Sequence, residues 1–138
     1  MPDYSNPYPW LTPNGLWKPI TLILPTATIP GVSGDMFISD SYYIIKEVRE
    51  SHTVASSSGT LQIEVLTSGQ NADAGVDQLT ATMDLASTAD TPVKATVIAE
   101  PTVINPGDRV GYVLGGTLTN LINGCVTVFL ERLRRGDV

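Results

Sequence analysis

The chain has 138 residues, a length that suits one domain with its own apolar core. Hydrophobic residues make up 42% and charged residues only 16%, against about 25% charged in an ordinary soluble domain. The surface must therefore be kept wet by Ser, Thr, Asn and Gly, or be partly covered in an assembly. The net charge of −6 disfavours DNA, RNA and membrane surfaces as direct partners. Cys125 is the single cysteine, so an intrachain disulfide is excluded. It reads as a small hydrophobe buried in a strand. The opening Met1-Pro2-Asp3-Tyr4 shows no basic region leading into an apolar run, and no stretch approaches the roughly 18 apolar residues of a membrane helix. The expectation is a protein made in a cytoplasm without a signal peptide.

Residues 1–19 form an expected N-terminal arm. Prolines fall at Pro2, Pro7, Pro9, Pro13 and Pro19, with Tyr8, Trp10 and Trp17 between them. Proline lacks a backbone donor and fixes φ, so the segment is neither a helix nor a central strand. Both tryptophans of the chain lie here. A Trp left in water wastes about 150–250 Å² of apolar area. Tyr8, Trp10 and Trp17 are therefore the expected partner-binding anchors, docking on their own domain or on a neighbour.

Residues 20–138 read as a β-sandwich domain. Ile20 to Leu24 is a short apolar run, and Pro25 to Asp40 carries mostly turn residues. Tyr42 to Glu50 is rich in aromatic and β-branched residues, as strands are. Leu61, Ile63 and Val65 alternate with Gln62 and Glu64, the period of a half-buried strand. A polar loop spans Ser68 to Asp77. Strands are expected again where Leu79, Ala81, Met83 and Leu85 alternate with polar residues, and at Val93 to Ala99. Asn105-Pro106-Gly107-Asp108 is a turn signal. Val110 to Leu114, a short strand or bend at Leu118 to Leu121, and a last strand through Val126, Val128 and Leu130 follow. About eight short strands at turn spacings of roughly 8–12 residues imply an all-β, antiparallel two-sheet sandwich. A jelly roll is the expected arrangement. An immunoglobulin-type sandwich is the competitor, but no Trp follows residue 17 to fill its usual central position.

Candidate chemistry is sparse. His52 is the only histidine, whereas imidazole metal sites commonly use two or three. Its neighbour Ser51 would point to the opposite face of the strand, so the two form no dyad. His52 reads as a strand-end residue held by hydrogen bonds. Glu47, Glu50 and Glu64 could suggest paired carboxylates, but Lys46, Arg49 and Gln62 beside them point to solvated cross-strand charge pairs. Asp73-Ala74-Gly75-Val76-Asp77 is only distantly like a calcium loop and reads as a polar turn. Gly115-Gly116 and Gly31-Val32-Ser33-Gly34 precede no helix and bear no phosphate-loop lysine. Arg135-Gly136-Asp137 spells an integrin-type tripeptide and is taken as coincidence. No catalytic, cofactor-binding or metal residue is assigned, and the chain is expected not to be an enzyme.

Three stretches carry a resemblance: YYIIKEVRESHTVASSSGTLQIEVL at 42–66, DLASTADTPVKATV further on, and INPGDRVGYVLGGTLTNLINGCVTVFLERL up to residue 133. Their order resembles a family of small tailed-bacteriophage virion proteins, variously described as head fibre, decoration or cement proteins. The resemblance covers about residues 42–133 and leaves out the arm. It implies a β-sandwich on the outer capsid surface, with the major capsid protein as partner and a dimer or trimer as the expected homo-oligomer. It supplies no active residues. The alternative is a fibre- or tail-associated module that binds a receptor or carbohydrate.

Overall fold

The computed structural model describes residues 11–24 and 32–135, with side chains from Trp17 to Leu24 and from Val32 to Arg134. Nine strands account for its regular structure: β1 (Leu11–Ile23), β2 (Val32–Ile38), β3 (Tyr42–Ser51), β4 (Thr60–Leu66), β5 (Val76–Asp77), β6 (Met83–Asp84), β7 (Val93–Lys94), β8 (Arg109–Gly115) and β9 (Cys125–Arg135). There is no helix among the described residues. One sheet has the order β1-β9-β3-β7. The other has the order β2-β8-β4-β5, with β6 also pairing β4. Every pairing is antiparallel.

The two sheets enclose one apolar interior, giving the expected jelly-roll-like sandwich. Ile45, Val48, Val126, Val128 and Leu130 come from the first sheet, and Leu61, Ile63, Val65, Val110 and Leu114 from the second. The alternation seen in β4 and β9 places these residues on one face, as a period of two requires. A smaller cluster of Ile44, Val103 and Leu133 lies beyond the main core.

Three elements differ from the sequence reading. Val32–Ile38, read as turn residues, is strand β2 paired along β8. Gly34 looks like a turn glycine, yet it serves a close approach, since a Cβ there would sit 3.0 Å from the Tyr112 hydroxyl. Leu79 to Leu85 and Val93 to Ala99 shrink to the two-residue strands β6 and β7, with a single bridge between Leu79 and Val97. Leu79, Met83 and Leu85 are nonetheless buried. Their alternation reports packing rather than a continuous ladder, because the Gln62 amide intrudes and its Oε1 accepts from the Leu79 N–H at 3.0 Å.

β1 crosses the expected arm boundary at 19/20 without a break. It lies at the edge of its sheet, where prolines are tolerated. The Leu24 N–H donates to the Gly124 carbonyl at 2.7 Å. Even-numbered residues of this stretch therefore face β9, and Pro19 turns its missing donor to the free edge. The Asn105–Asp108 turn forms as expected: Asp108 N–H donates to the Asn105 carbonyl at 2.9 Å and Gly107 has φ of 90°. Pro106 followed by a left-handed glycine is the arrangement of a type II turn.

Candidate functional site

The outer face of the first sheet carries Trp17, one of the three expected anchors, among its exposed apolar residues. Val48 and Val128 are paired and buried, so their neighbours Arg49 and Thr127 point outward. The same alternation puts Trp17, Pro19, Thr21 and Ile23 of β1 outward, beside Phe129 and Thr127 of β9. Trp17 is 49% exposed and Ile23 65%. The Trp17 ring rests against Phe129 with centroids 6.2 Å apart. The Arg49 guanidinium lies 5.8 Å over the same Phe129 ring on its other flank. Trp17 thus packs partly on its own domain while half of its surface stays open. Tyr8 and Trp10 lie outside the described residues, as do Gly136 and Asp137 of the tripeptide.

A charge network borders this platform. Glu47 is held by Arg49 at 3.1 Å and by Lys94 at 3.0 Å. Hydrogen bonds from Arg49 and then Lys94 draw its carboxyl below the usual carboxylate range. The cations are largely exposed while the carboxylate is recessed beneath them, with side-chain exposures of 56%, 66% and 8% respectively. Cys125 opens β9 on this same outward face and is half-buried, not fully enclosed as expected. Its neighbours on either side, Ile23 and Ser51, are the outermost residues of β1 and β3. An open groove of about 460 Å³ lies where the chain leaves β3 after β7, lined by Ile44, Ile45, Lys46, Lys94, Val97 and Pro101 among others. It brings two lysines and no carboxylate to its walls.

The other carboxylates correct the sequence reading, because Glu47, Glu50 and Glu64 are all buried and not solvated. Glu64 accepts from the Asp73 N–H at 2.7 Å and from the Gly75 N–H at 3.0 Å, closing the loop that seemed faintly calcium-like. Gly75 is required there, since a Cβ would lie 2.5 Å from the Val65 carbonyl oxygen. Opposite this loop, Arg109 donates from Nη1 to both oxygens of Asp35 at 3.0 Å. Its Nη2 donates to the Thr67 carbonyl at 3.1 Å and to that of Gln70. Arg109 therefore ties β2, β8 and the β4–β5 loop together.

Glu50 and His52 form a pair that the sequence reading missed. Residues two apart on a strand share a face, and Glu50 lies opposite Val126, so both point into the interior. His52 Nδ1 lies 2.7 Å from Glu50 Oε1, and Nε2 lies 2.9 Å from the Ser87 carbonyl oxygen. A carbonyl can only accept, so Nε2 carries a hydrogen. A second proton must then lie between Nδ1 and Oε1. Burial raises the Glu50 carboxyl against the opposing pull of His52. Burial would lower His52, but its bonds to Glu50 and Ser87, with Glu50 and Asp84 charges nearby, carry it above its ordinary value. Acid, histidine and serine stand in triad order. However, His52 donates to the serine carbonyl rather than its hydroxyl, and the Glu50 and His52 side chains are 1% and 0% exposed. The arrangement stores a shared proton inside the fold.

No family model matches the sequence, and no curated protein matches it. Among solved structures, the chain is similar to one in the structure described as the capsid of Ralstonia phage GP4, with TM-score 0.56 and 14% identity over 88% of this chain and 84% of that one. A looser likeness, at TM-score 0.35 and 13% identity, is to a chain of infectious bursal disease virus strain Gx, covering 88% of this chain and 37% of that one. The first likeness shows a fold shared with a component of a phage capsid structure.

Proposed function

We propose that the chain is a structural virion protein: a decoration or cement protein on the outer surface of a phage head that stabilises contacts between major capsid subunits. In this reading it is made in the cytoplasm of a bacterial host, works without catalysis, cofactor or metal, and assembles as a dimer or trimer. The observation that carries the reading is the reciprocal coverage of the phage capsid likeness, 88% of this chain against 84% of the other. Most of each chain is compared, not a fragment of either. The exposed Trp17–Phe129 platform supports it, since aromatic anchors dominate contact energetics.

Purified protein is expected to co-sediment with expanded shells of its parent particle and to raise their melting temperature. Shells that neither bind it nor melt later in its presence would refute the reading. Trp17→Ala, and separately removal of residues 1–10 with Tyr8 and Trp10, are each expected to weaken binding while leaving the sandwich folded. Light scattering reports the oligomer. The same aromatic platform is suited to stacking on a sugar ring, so hits on a glycan array that vanish with Trp17→Ala would favour a carbohydrate-binding role instead.

A further inference from the structure

The net charge conceals a strong segregation. All of the Lys and Arg residues except Arg109 lie on strands β1, β3, β7 and β9 of the first sheet. Only three of the fourteen Asp and Glu residues, Glu47, Glu50 and Glu131, share those strands. Seven cationic residues against three acids give that sheet a formal +4 in a chain whose total is −6. Arg109, the one basic residue elsewhere, is already committed to Asp35.

The outward face refines this picture. Trp17, Phe129, Arg49 and Lys94 form a diagonal row that crosses all four strands. Trp17 meets Phe129, Arg49 lies over Phe129, and Arg49 stands directly opposite Lys94 in the register. At about 4.8 Å per strand the row spans about 14 Å across the sheet. The two carboxylates of this face, Glu47 and Glu131, are each 8% exposed at the side chain, beneath the cations that pair with them. Along this row the described residues present two aromatic rings and then two exposed cations above the recessed carboxylates.

We propose that this row is the docking surface for an acidic patch on another protein, its carboxylates engaging Arg49 and Lys94 and its apolar part covering Trp17 and Phe129. The inference rests on the virion reading above and names the face that meets the shell and the chemistry that the shell must present. A different protein fits better than a second copy. Asp35, Asp77 and Asp84 lie on strands of the opposite sheet, and stacking one copy's face on another's back gives an open, non-closing array. Charge complementarity of this kind steers association and fixes orientation.

The test uses the full chain and shells purified from the parent particle without it. Wild-type affinity is expected to fall steeply as salt rises from about 0.05 M to about 0.5 M, as screening requires. Arg49→Glu with Lys94→Glu is expected to weaken binding about tenfold or more. Reversing two exposed acids off this sheet, Asp77→Lys with Glu100→Lys, is expected to leave binding unchanged. Charge reversal sets Glu47 against two new carboxylates, so the neutral triple variant Glu47→Gln, Arg49→Gln, Lys94→Gln provides a second route. It should melt like the wild type and still bind about tenfold more weakly. Wild-type binding that is insensitive to salt and to both sets of substitutions overturns this inference while leaving the virion reading intact. Wild type that never binds shells overturns the virion reading itself. Self-association lost with Arg49→Glu and Lys94→Glu, or duplex DNA retained through the same residues, also overturns the assignment of an acidic protein partner.

Discussion

Replacing His52 with alanine tests the interior pair directly. The substitution removes the donor to the Ser87 carbonyl and the partner of Glu50 Oε1 together. Glu50 Oε2 already lacks a hydrogen-bond partner, so the whole carboxyl would be stranded in a position only 2% exposed. Breaking one side of a buried pair costs about 3–5 kcal/mol. That is a large part of the roughly 5–15 kcal/mol that holds an ordinary domain together. Replacing both residues with leucine removes the stranded charge and should recover most of the loss. The assay is urea unfolding followed by circular dichroism, with wild type, His52→Leu, Glu50→Leu and the double leucine variant forming a cycle and His52→Ala measured beside them. With a slope of about 1–3 kcal/mol per molar, His52→Ala should lower the midpoint by at least about 1 M. A loss under about 1 kcal/mol, the level of an exposed ion pair, with an unchanged slope would refute the argument.

The same pair predicts a pH dependence. Both shifts are upward, so the folded state keeps its proton to a higher pH than the unfolded chain does. The His52 contribution is complete below its ordinary 6.5 and is lost as pH rises through the folded value. The loss is at most about 1.4 kcal/mol per pH unit. Raised Glu50 acts with the same sign above its ordinary 4.5. The stability difference between wild type and the double leucine variant, measured from about pH 6 to about pH 9, should therefore decline; a flat or rising difference contradicts the pairing. Arg109→Lys should cost nearly as much as Arg109→Ala, about 2–3 kcal/mol by the same unfolding assay, because an ammonium cannot reproduce the planar fork between Asp35 and two carbonyls. Gly116→Ala should be worse than a helix-type glycine replacement, costing about 3 kcal/mol or more. Its φ is +66° and the new Cβ would fall 2.1 Å from the Ser58 carbonyl oxygen; a melting temperature like the wild type's would disprove the contact.

The architecture was legible where side-chain period and backbone ladder coincide. β4 and β9 show their inward faces in plain alternation, and Asn105-Pro106-Gly107-Asp108 announces its turn by residue type alone. β2 was hidden because Gly34 and Asp35 mimic a turn. Their meaning depends on Tyr112 and Arg109, which lie more than seventy residues away and reach them only through β8. The segment from Leu79 to Val97 keeps the spacing of strands, but a glutamine side chain takes over part of the ladder. Among the site residues, Trp17 was singled out by its type. Phe129 was missed because its place beside Trp17 depends on the β1–β9 register. The Glu50–His52 pair was missed although a spacing of two places both on one face, because charged residues at a strand end ordinarily face water.

Pro19 has a bearing on how many copies can crowd together. Among the described residues no strand pairs with the outer edge of β1, which turns the amides of Trp17, Thr21 and Ile23 outward, and such an edge invites sheet-to-sheet fusion. The imide nitrogen of Pro19 interrupts the zipper between Trp17 and Thr21. Copies arrayed at high local density can therefore lie flank to flank and remain separate molecules, so contact between them depends on side chains and not on main-chain templating into fibres.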